Sequence, residues 1–397
     1  MKILYLTARQ PYPYIKGDQL ISYNQIKELS KRHKVYLVSF YENQLNELDK
    51  EMSKYCEEIY LFNSNKLSKI ISSLKVFYNG KSIQANMFYM KKIRDIIDKL
   101  YNEIKPDIVH VLSFRMAEYF IDKKTKKSIT LVDAYSLNMR LRRDKCKNIL
   151  KLLWHTEYLL LKKYENKVLN KYDIKTIVAE RDKKYLLNEN IIVNPIGVNL
   201  DYNFLHECKQ KYRDKEVSNN YTNIIFQGNM SYFPNIKAIK FLVNEIMPKL
   251  NRRIRLFLVG GQVSKEIQIL KNSDIIITGY VDKIEQYLAI ADIAIYPIFE
   301  ATGMQNKVLE ALAAQIPCIT TDQCLTGIKG LKHKENILIA NTVDEFVNCF
   351  KLLENNDKLL YQMKNNGYKL IQREYSWDRN VTQLEELWGE YNYENGN

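Results

Sequence analysis

Glycine and proline are scarce, 13 and 8 among 397 residues. That excludes collagen-like repeats and argues against long low-complexity linkers. No self-similar period of solenoid length runs through the chain, which excludes a repeat array. Cysteines number only six, at positions 56, 146, 208, 318, 324 and 349. None forms a C-x-x-C pair or stands beside a histidine at metal-site spacing, so reduced, packed thiols in a reducing compartment are expected, with no metal site. No apolar window reaches the ~18 residues that span a bilayer. The apolar run at residues 3–6 is short and ends at Arg9, unlike a secretory leader. These readings place the protein in the cytoplasm.

What is present is ample apolar material, 46% of the residues, on a chain long enough for two or three domains. Lysine and arginine outnumber acidic residues by 60 to 46, a net charge of +14. The excess is local: residues 121–184 hold 18 Lys/Arg against 8 Asp/Glu. Such a field draws anions, whether nucleic acid, a phosphorylated substrate or an acidic membrane face, and composition does not choose among them.

The order of elements reads as repeated strand–helix alternation. Strands are expected at 1–7, 35–40, 107–112, 128–133, 175–178 and 191–193, with helical periodicity at 19–31, 87–104 and 148–171. Residues 199–221 are polar and aperiodic, which places a domain boundary there. Strands then resume at 222–227, 254–259, 274–278, 293–296 and 318–321, with helices at 235–250 and 304–314. Two such series imply two parallel, doubly wound sheets, whose ligands bind beyond the carboxyl ends of the strands.

One segment is the most informative, YPIFEATGMQNKVLE from Tyr296 to Glu310. A strand enters a loop with Gly303 and then a helix. Amides of Thr302, Gly303 and Met304 at a helix start suit a diphosphate. Lys307 adds a full charge, and Glu310 stands three residues on, on the same face, where a carboxylate accepts from a ribose diol. On spacing alone, a surface Lys–Glu pair on an amphipathic helix explains the same residues.

The stretch G-x-x-N-K-V-L-E-A-L-A-x-x-x-P resembles the donor-site signature of glycosyltransferase family 4, retaining enzymes of the GT-B fold. Three further stretches agree in order: ILYLTARQPYPYIKGDQLISYNQIKELSKRHKVYLVSF, NIIFQGNMSYFPNIKAIKFLVNEIMPKL and ITGYVDKIEQYLAIADIAIYPI. The second is similar to a bacterial polysaccharide-associated branch. The resemblance implies an α/β protein of two Rossmann-like domains facing across a cleft. Residues 1–200 would form the acceptor-side domain and 201–375 the nucleotide-sugar domain, with the final helix of 376–397 crossing back to the first.

By the same resemblance Glu310 matches the second glutamate of the family's E-x7-E motif and holds the ribose. The first would fall at Thr302; the nearest carboxylate is Glu300, ten residues before Glu310. The branch's G-x-x-x-K variant makes Lys307 the phosphate ligand, with amides between Ala301 and Gln305, including those of Met304 and Gln305, on the sugar and Asn306 beside them. The basic pair expected after the second domain's first strand is missing: Gly228 and Asn229 open a loop with no Arg or Lys. Asp133 stands where a sugar-side histidine is usual. It reads as an acceptor for a sugar hydroxyl, as a group acting through the Arg140, Arg142 and Arg143 cluster, or as a helix N-cap.

Other residues carry two readings. Gly17 and Asp18 form either a loop touching donor phosphate or a turn with Asp18 as N-cap. His110 is either a buried, hydrogen-bonded histidine or a group at the cleft. Gly260 serves close packing, with its amide open to phosphate, and the backbone at Tyr280 is placed to meet the nucleobase. The helix from Asn148 to Lys171 mixes leucines with lysines, as a core helix with solvated lysines does, and as a helix lying on anionic lipid does. No D-x-D motif stands at a strand end, so metal independence is expected, with a UDP- or GDP-linked sugar as substrate and no cofactor. The function implied is retaining transfer from a nucleotide-sugar to a glycan or lipid-linked acceptor in surface polysaccharide synthesis, with no nucleic-acid partner. A nucleotide-sugar epimerase or hydrolase of the same fold, or a non-catalytic basic binding protein, are the alternatives.

Overall fold

The computed structural model describes all residues except 15, 42–47, 65–71, 74–75, 77–79, 146–148, 214–220, 301–303 and 395–397. The chain divides into two compact units, Met1–Ile196 with Trp377–Asn397, and Gly197–Ser376.

In the first unit the strands are β1 (Lys2–Thr7), β2 (Lys34–Tyr41), β3 (Glu58–Asn63), β4 (Ile108–Leu112), β5 (Lys127–Leu131), β6 (Ile174–Ile177) and β7 (Ile191–Val193). They form one parallel sheet in the order β3-β2-β1-β4-β5-β6-β7. The second unit holds β8 (Tyr221–Gln227), β9 (Arg253–Val259), β10 (Ile275–Gly279), β11 (Ile293–Tyr296), β12 (Cys318–Thr320) and β13 (Leu338–Ile339). Their order is β10-β9-β8-β11-β12-β13, again all parallel. Central strands such as β4 and β5 are buried along their whole length, so their sequences lack the polar–apolar alternation of a half-exposed strand, His110 and Lys127 being buried with their apolar neighbours. Each sheet reverses its strand order once, between β1 and β4 and between β8 and β11. Those switch points are where parallel sheets open a crevice.

Several expected elements are redrawn. The stretch 199–221 contains a helix, Tyr202–Arg213, that buries Leu205 and Cys208, one turn apart, on an otherwise polar surface. The helix expected over 87–104 is two, Ile83–Phe88 and Lys91–Ile104, separated where Tyr89 is extended and the Met90 amide donates to the Tyr119 hydroxyl at 3.2 Å. That expected over 235–250 is an α-helix, Phe233–Phe241, followed by a π turn, Leu242–Ile246, and a 3-10 turn, Met247–Lys249.

One apolar core fills the second unit, and two lie on the opposite faces of the first unit's sheet. The last helix, Trp377–Glu394, completes one of the latter: Trp377, Val381, Leu384 and Trp388 pack with Ile3, Tyr5, Ile26 and Leu37. Each fully buried side chain of this size contributes about 1.5–3 kcal/mol. A polar clamp fixes the helix's register. Asn380 Nδ2 donates to Asn194 Oδ1 and the Pro195 carbonyl, while its Oδ1 accepts from Gln25 Nε2.

Candidate functional site

At the switch point of the second unit, β8 and β11 run side by side in parallel, Ile224 opposite Ile293. That register sets Tyr296, at the end of β11, beside Gln227, at the end of β8: the tyrosine hydroxyl donates to Gln227 Oε1 at 2.6 Å. Gln227 Nε2 in turn donates to the Lys307 carbonyl at 3.1 Å and to Glu310 Oε2 at 3.3 Å. The two strand ends thereby hold the helix Asn306–Ala313 in place. Its ammonium-bearing residue, Lys307, donates through Nζ to Asn235 Oδ1 at 2.6 Å and lies 4.7 Å from the centre of the Phe226 ring. Asn235 is itself fixed by donating to the Asn229 carbonyl at 2.8 Å.

Glycine shapes the floor. Gly228, at φ +142°, leaves room where a Cβ would sit 3.3 Å from Lys307 Nζ. Gly260, at φ +147°, packs so closely on the Gly228 carbonyl that a Cβ would fall 1.9 Å from its oxygen. The Gly260 amide donates to the Gly279 carbonyl at 3.1 Å. Gly260 therefore seals one strand-end loop against another, and its amide is not open to phosphate.

Lys307 and Glu310 are perturbed in opposite senses. Burial pushes the Lys307 ammonium down to about 8, opposed by Cys324 and Glu310. Burial pushes the Glu310 carboxyl up to about 7, opposed by the Gln227 hydrogen bond and by Lys307. Both charges are held in partial desolvation, where an incoming ligand of complementary charge gains more than it would in water.

The expected helix start moves. The helix begins at Asn306, with Gln305 as N-cap and no side-chain hydrogen bond closing that end. Thr302 and Gly303 lie outside the described residues. Met304 is half-buried and packs against the unit's core, whereas Asn306 is exposed. Glu300 pairs with Lys237 at 2.6 Å, both side chains more than half exposed, an arrangement that contributes little to stability. Asn229 accepts from the Ser231 amide and hydroxyl within its own loop and donates to Gln262 Oε1 in the loop after β9. Tyr280 is 79% exposed, beyond Gly279 at φ +71°.

The remaining candidates lie in the first unit. Asp18 is not an N-cap; Lys16 holds that position and Gly17 opens the helix Gly17–Leu29. Asp18 instead pairs with Arg9 at 2.5 Å, with Arg115 at 3.8 Å. Arg115 lies over the rings of Phe88 and Tyr135 and donates to Gln84. This cluster joins the chain after β1 to the chain after β4, at the unit's own switch point, where Ser113 takes φ +76°. A non-glycine residue there stores strain of ~1–3 kcal/mol, a feature that concentrates at functional sites. Asp133 is not a helix N-cap either. Its Oδ2 accepts from Asn138 Nδ2, its buried Oδ1 has no partner, and the amides of Ala134 and Ser136 are taken by Asp182 and Glu165. Burial, then Asp182, raises its pKa, against Asn138, Arg115 and Arg181.

His110 is corrected outright. It is fully buried, its Nδ1 on Ser128 Oγ at 2.7 Å and its Nε2 on Thr130 Oγ1 at 3.3 Å, between the rings of Tyr5 and Trp388. Burial pushes its pKa down to about 3. It is a neutral core residue with no nitrogen left for a ligand. Gln227, Asn235, Tyr296, Arg9 and Arg115 are functional candidates that the sequence reading did not single out.

Two parallel, doubly wound units with the last helix returned to the first define the GT-B class of fold. Solved structures agree over nearly the whole chain. A glycosyltransferase from Rickettsia africae aligns with a TM-score of 0.67 at 17% identity, covering 98% of each chain. The Anabaena protein HepE in complex with UDP aligns at 0.69 and 12% identity, over 98% of this chain and all of the other. Sucrose-phosphate synthase from Thermosynechococcus elongatus aligns at 0.68 and 14% identity, over 98% and 99%. At such identities the likeness fixes the fold alone. In sequence, residues 221–356 match the family described as Glycosyl transferases group 1. No curated protein sequence matches the chain.

Proposed function

We propose that the chain is a retaining glycosyltransferase that moves a sugar from a UDP- or GDP-linked donor to a glycan or lipid-linked acceptor, in cell-surface polysaccharide synthesis. One observation carries the reading: the Lys307 ammonium, held by Asn235 under Gly228, shares the β8/β11 switch point with the Glu310 carboxylate. An ammonium meets a diphosphate, and a carboxylate meets the ribose hydroxyls. The family match over residues 221–356 supports this, as does the fold shared with HepE, whose structures hold UDP or UDP-glucose.

The chemistry asked of the protein is electrostatic. Charge accumulates on the diphosphate as the bond to the sugar breaks, and a fixed ammonium stabilises it without reorganisation. In this reading the diphosphate oxygen itself takes the acceptor proton, so neither a protein nucleophile nor a metal is required. Asp133, with its unpaired buried Oδ1, would accept from a sugar hydroxyl.

Calorimetry with UDP, GDP, ADP and CDP tests the reading. One of them should bind tightest between pH 7 and 8. Lys307 loses its charge as pH rises through about 8, so affinity should fall about tenfold per unit above that. Below about 7 Glu310 takes up a proton and loses acceptor capacity. Absence of binding by all four would leave a basic binding protein instead, and donor turnover without any acceptor would indicate an epimerase or hydrolase.

The acceptor side adds a second part to the proposal: the enzyme works in the cytoplasm, against the inner membrane face. No helix among the described residues is long and apolar enough to cross a bilayer. The helix pair Tyr135–Lys145 and Ile149–Leu169 nevertheless exposes Leu141, Leu152, Leu153 and Leu159 by 41–65%, beside exposed Arg140, Arg142, Lys151, Lys162 and Lys163. Leucines among cations suit an anionic lipid surface. Leu152→Gln with Leu159→Gln should weaken sedimentation with phosphatidylglycerol vesicles about tenfold; unchanged binding would refute this part.

A further inference from the structure

The lysine-rich segment 121–127 has no part in the sugar chemistry above, and it lines a cavity of about 540 Å³. The cavity lies at the amino-terminal end of β5 and β6, the opposite end of the strands from the switch point. Its walls are Ile121, Asp122, Lys123, Lys124, Thr125, Lys126, Lys127, Lys171 and Asp173, five lysines against two aspartates.

The local carboxylates Asp98, Asp107, Asp122 and Asp173 offset this charge only in part. Asp173 spends its Oδ2 on the Lys127 amide at 2.9 Å. Lys123 is paired, with Asp98 at 2.8 Å. Lys127 turns its ammonium to the Lys123 carbonyl at 2.5 Å, and Lys126 donates to the Trp388 carbonyl. Lys124 and Lys171 are exposed, with no carboxylate paired to either among the described residues. Burial lowers the pKa of Lys126 and of Lys127, with Lys171 adding to the effect on Lys127 and Asp173 opposing it for both. An anion entering the cavity would offset the cost of burying both ammonium groups and the Lys171–Lys127 repulsion.

We propose that this cavity is a second ligand site, which takes a phosphate-bearing anion through Lys124 and Lys171 within the field of Lys123, Lys126 and Lys127. Lysine selects phosphate by charge, without the planar fork of arginine, and arginine is absent from the walls. The volume lies within the ~300–1,000 Å³ usual for small-ligand sites, large enough for several linked phosphoryl groups or one lipid headgroup. The phosphate chemistry is common to both sources, a soluble polyphosphate or phosphodiester and an anionic phospholipid.

The test uses the full chain carrying Lys307→Met, Leu152→Gln and Leu159→Gln, so that neither the second unit's site nor the exposed leucines contribute. Titration calorimetry with tripolyphosphate should show saturable binding, or phosphatidylglycerol vesicles should retain the protein where phosphatidylcholine vesicles do not. Whichever probe binds identifies the source. Lys124→Glu with Lys171→Glu should weaken that binding at least tenfold, with the melting temperature unchanged. A control of equal charge, Lys358→Glu with Lys369→Glu, should change it less than twofold. Three results would overturn the proposal: no saturable binding of either probe, equal loss in the control pair, or tighter binding of single-stranded RNA than of tripolyphosphate at matched charge.

Discussion

Replacing Lys307 with methionine is expected to reduce kcat/KM for sugar transfer by two to three orders of magnitude while leaving the fold intact. Methionine keeps an unbranched stem against Phe226 and beneath Gly228 and removes only the charge. Loss of a preorganised donor at a developing oxyanion costs about 2.7–4 kcal/mol in other enzymes, which sets the size of the effect. Stability should change by less than ~1 kcal/mol. Asn235 Oδ1 loses a hydrogen bond, but the chain no longer holds an ammonium that burial already disfavours. Steady-state kinetics and a urea melt separate the two quantities. Retention of more than a tenth of the activity would remove Lys307 from the site.

Gly260→Ala should produce the largest loss of stability of any single methyl addition in the second unit. The new carbon meets the Gly228 carbonyl oxygen at 1.9 Å and its carbon at 2.8 Å, both backbone atoms, at a φ of +147° that side chains rarely adopt. Strain of ~1–3 kcal/mol from the backbone adds to the displacement of one strand-end loop by the other, for a loss of about 3 kcal/mol or more. For a domain of this size that is roughly 6–12 °C in melting temperature. Gly279→Ala tests the strain alone: φ is +71°, and no atom lies within 4 Å of the added carbon. It should cost about 1 kcal/mol. Gly17→Ala, at a helix start with open space, should be neutral or slightly stabilising. If the three alanine variants melt together, the close approach at Gly260 does not constrain the fold.

The strands were legible because buried parallel strands are continuous apolar runs, and β7 and β11 match their expected limits. Two escaped. β13 is only Leu338–Ile339, and β3, at the sheet edge, is missed although Ile59–Phe62 is a short apolar run, half-buried and flanked by Glu58 and Asn63. Lys307 and Glu310 could be singled out because they share a helix face and a recognisable pattern. Gln227, Asn235 and Tyr296 could not. Their roles follow from the β8/β11 register and from hydrogen bonds that reach from Gln227 and Asn235 across 72 to 83 positions to Lys307 and Glu310, and from Tyr296 across 69 to Gln227. His110 shows the same limit from the other side. A histidine in a strand reads alike whether it faces a cleft or a core, and here Trp388 settles it from the far end of the chain.

The return of the last helix fixes an order of events during synthesis. Gly197–Ser376 is an insertion, so all of its residues precede Trp377 as the chain leaves the ribosome. The earlier-made sheet meanwhile lacks Trp377, Val381, Leu384 and Trp388, and the side chains of Ile3, Tyr5 and Leu37 wait without their cover. The unit encoded second therefore has its full complement first, and the unit encoded first is finished only when Trp377–Glu394 has emerged.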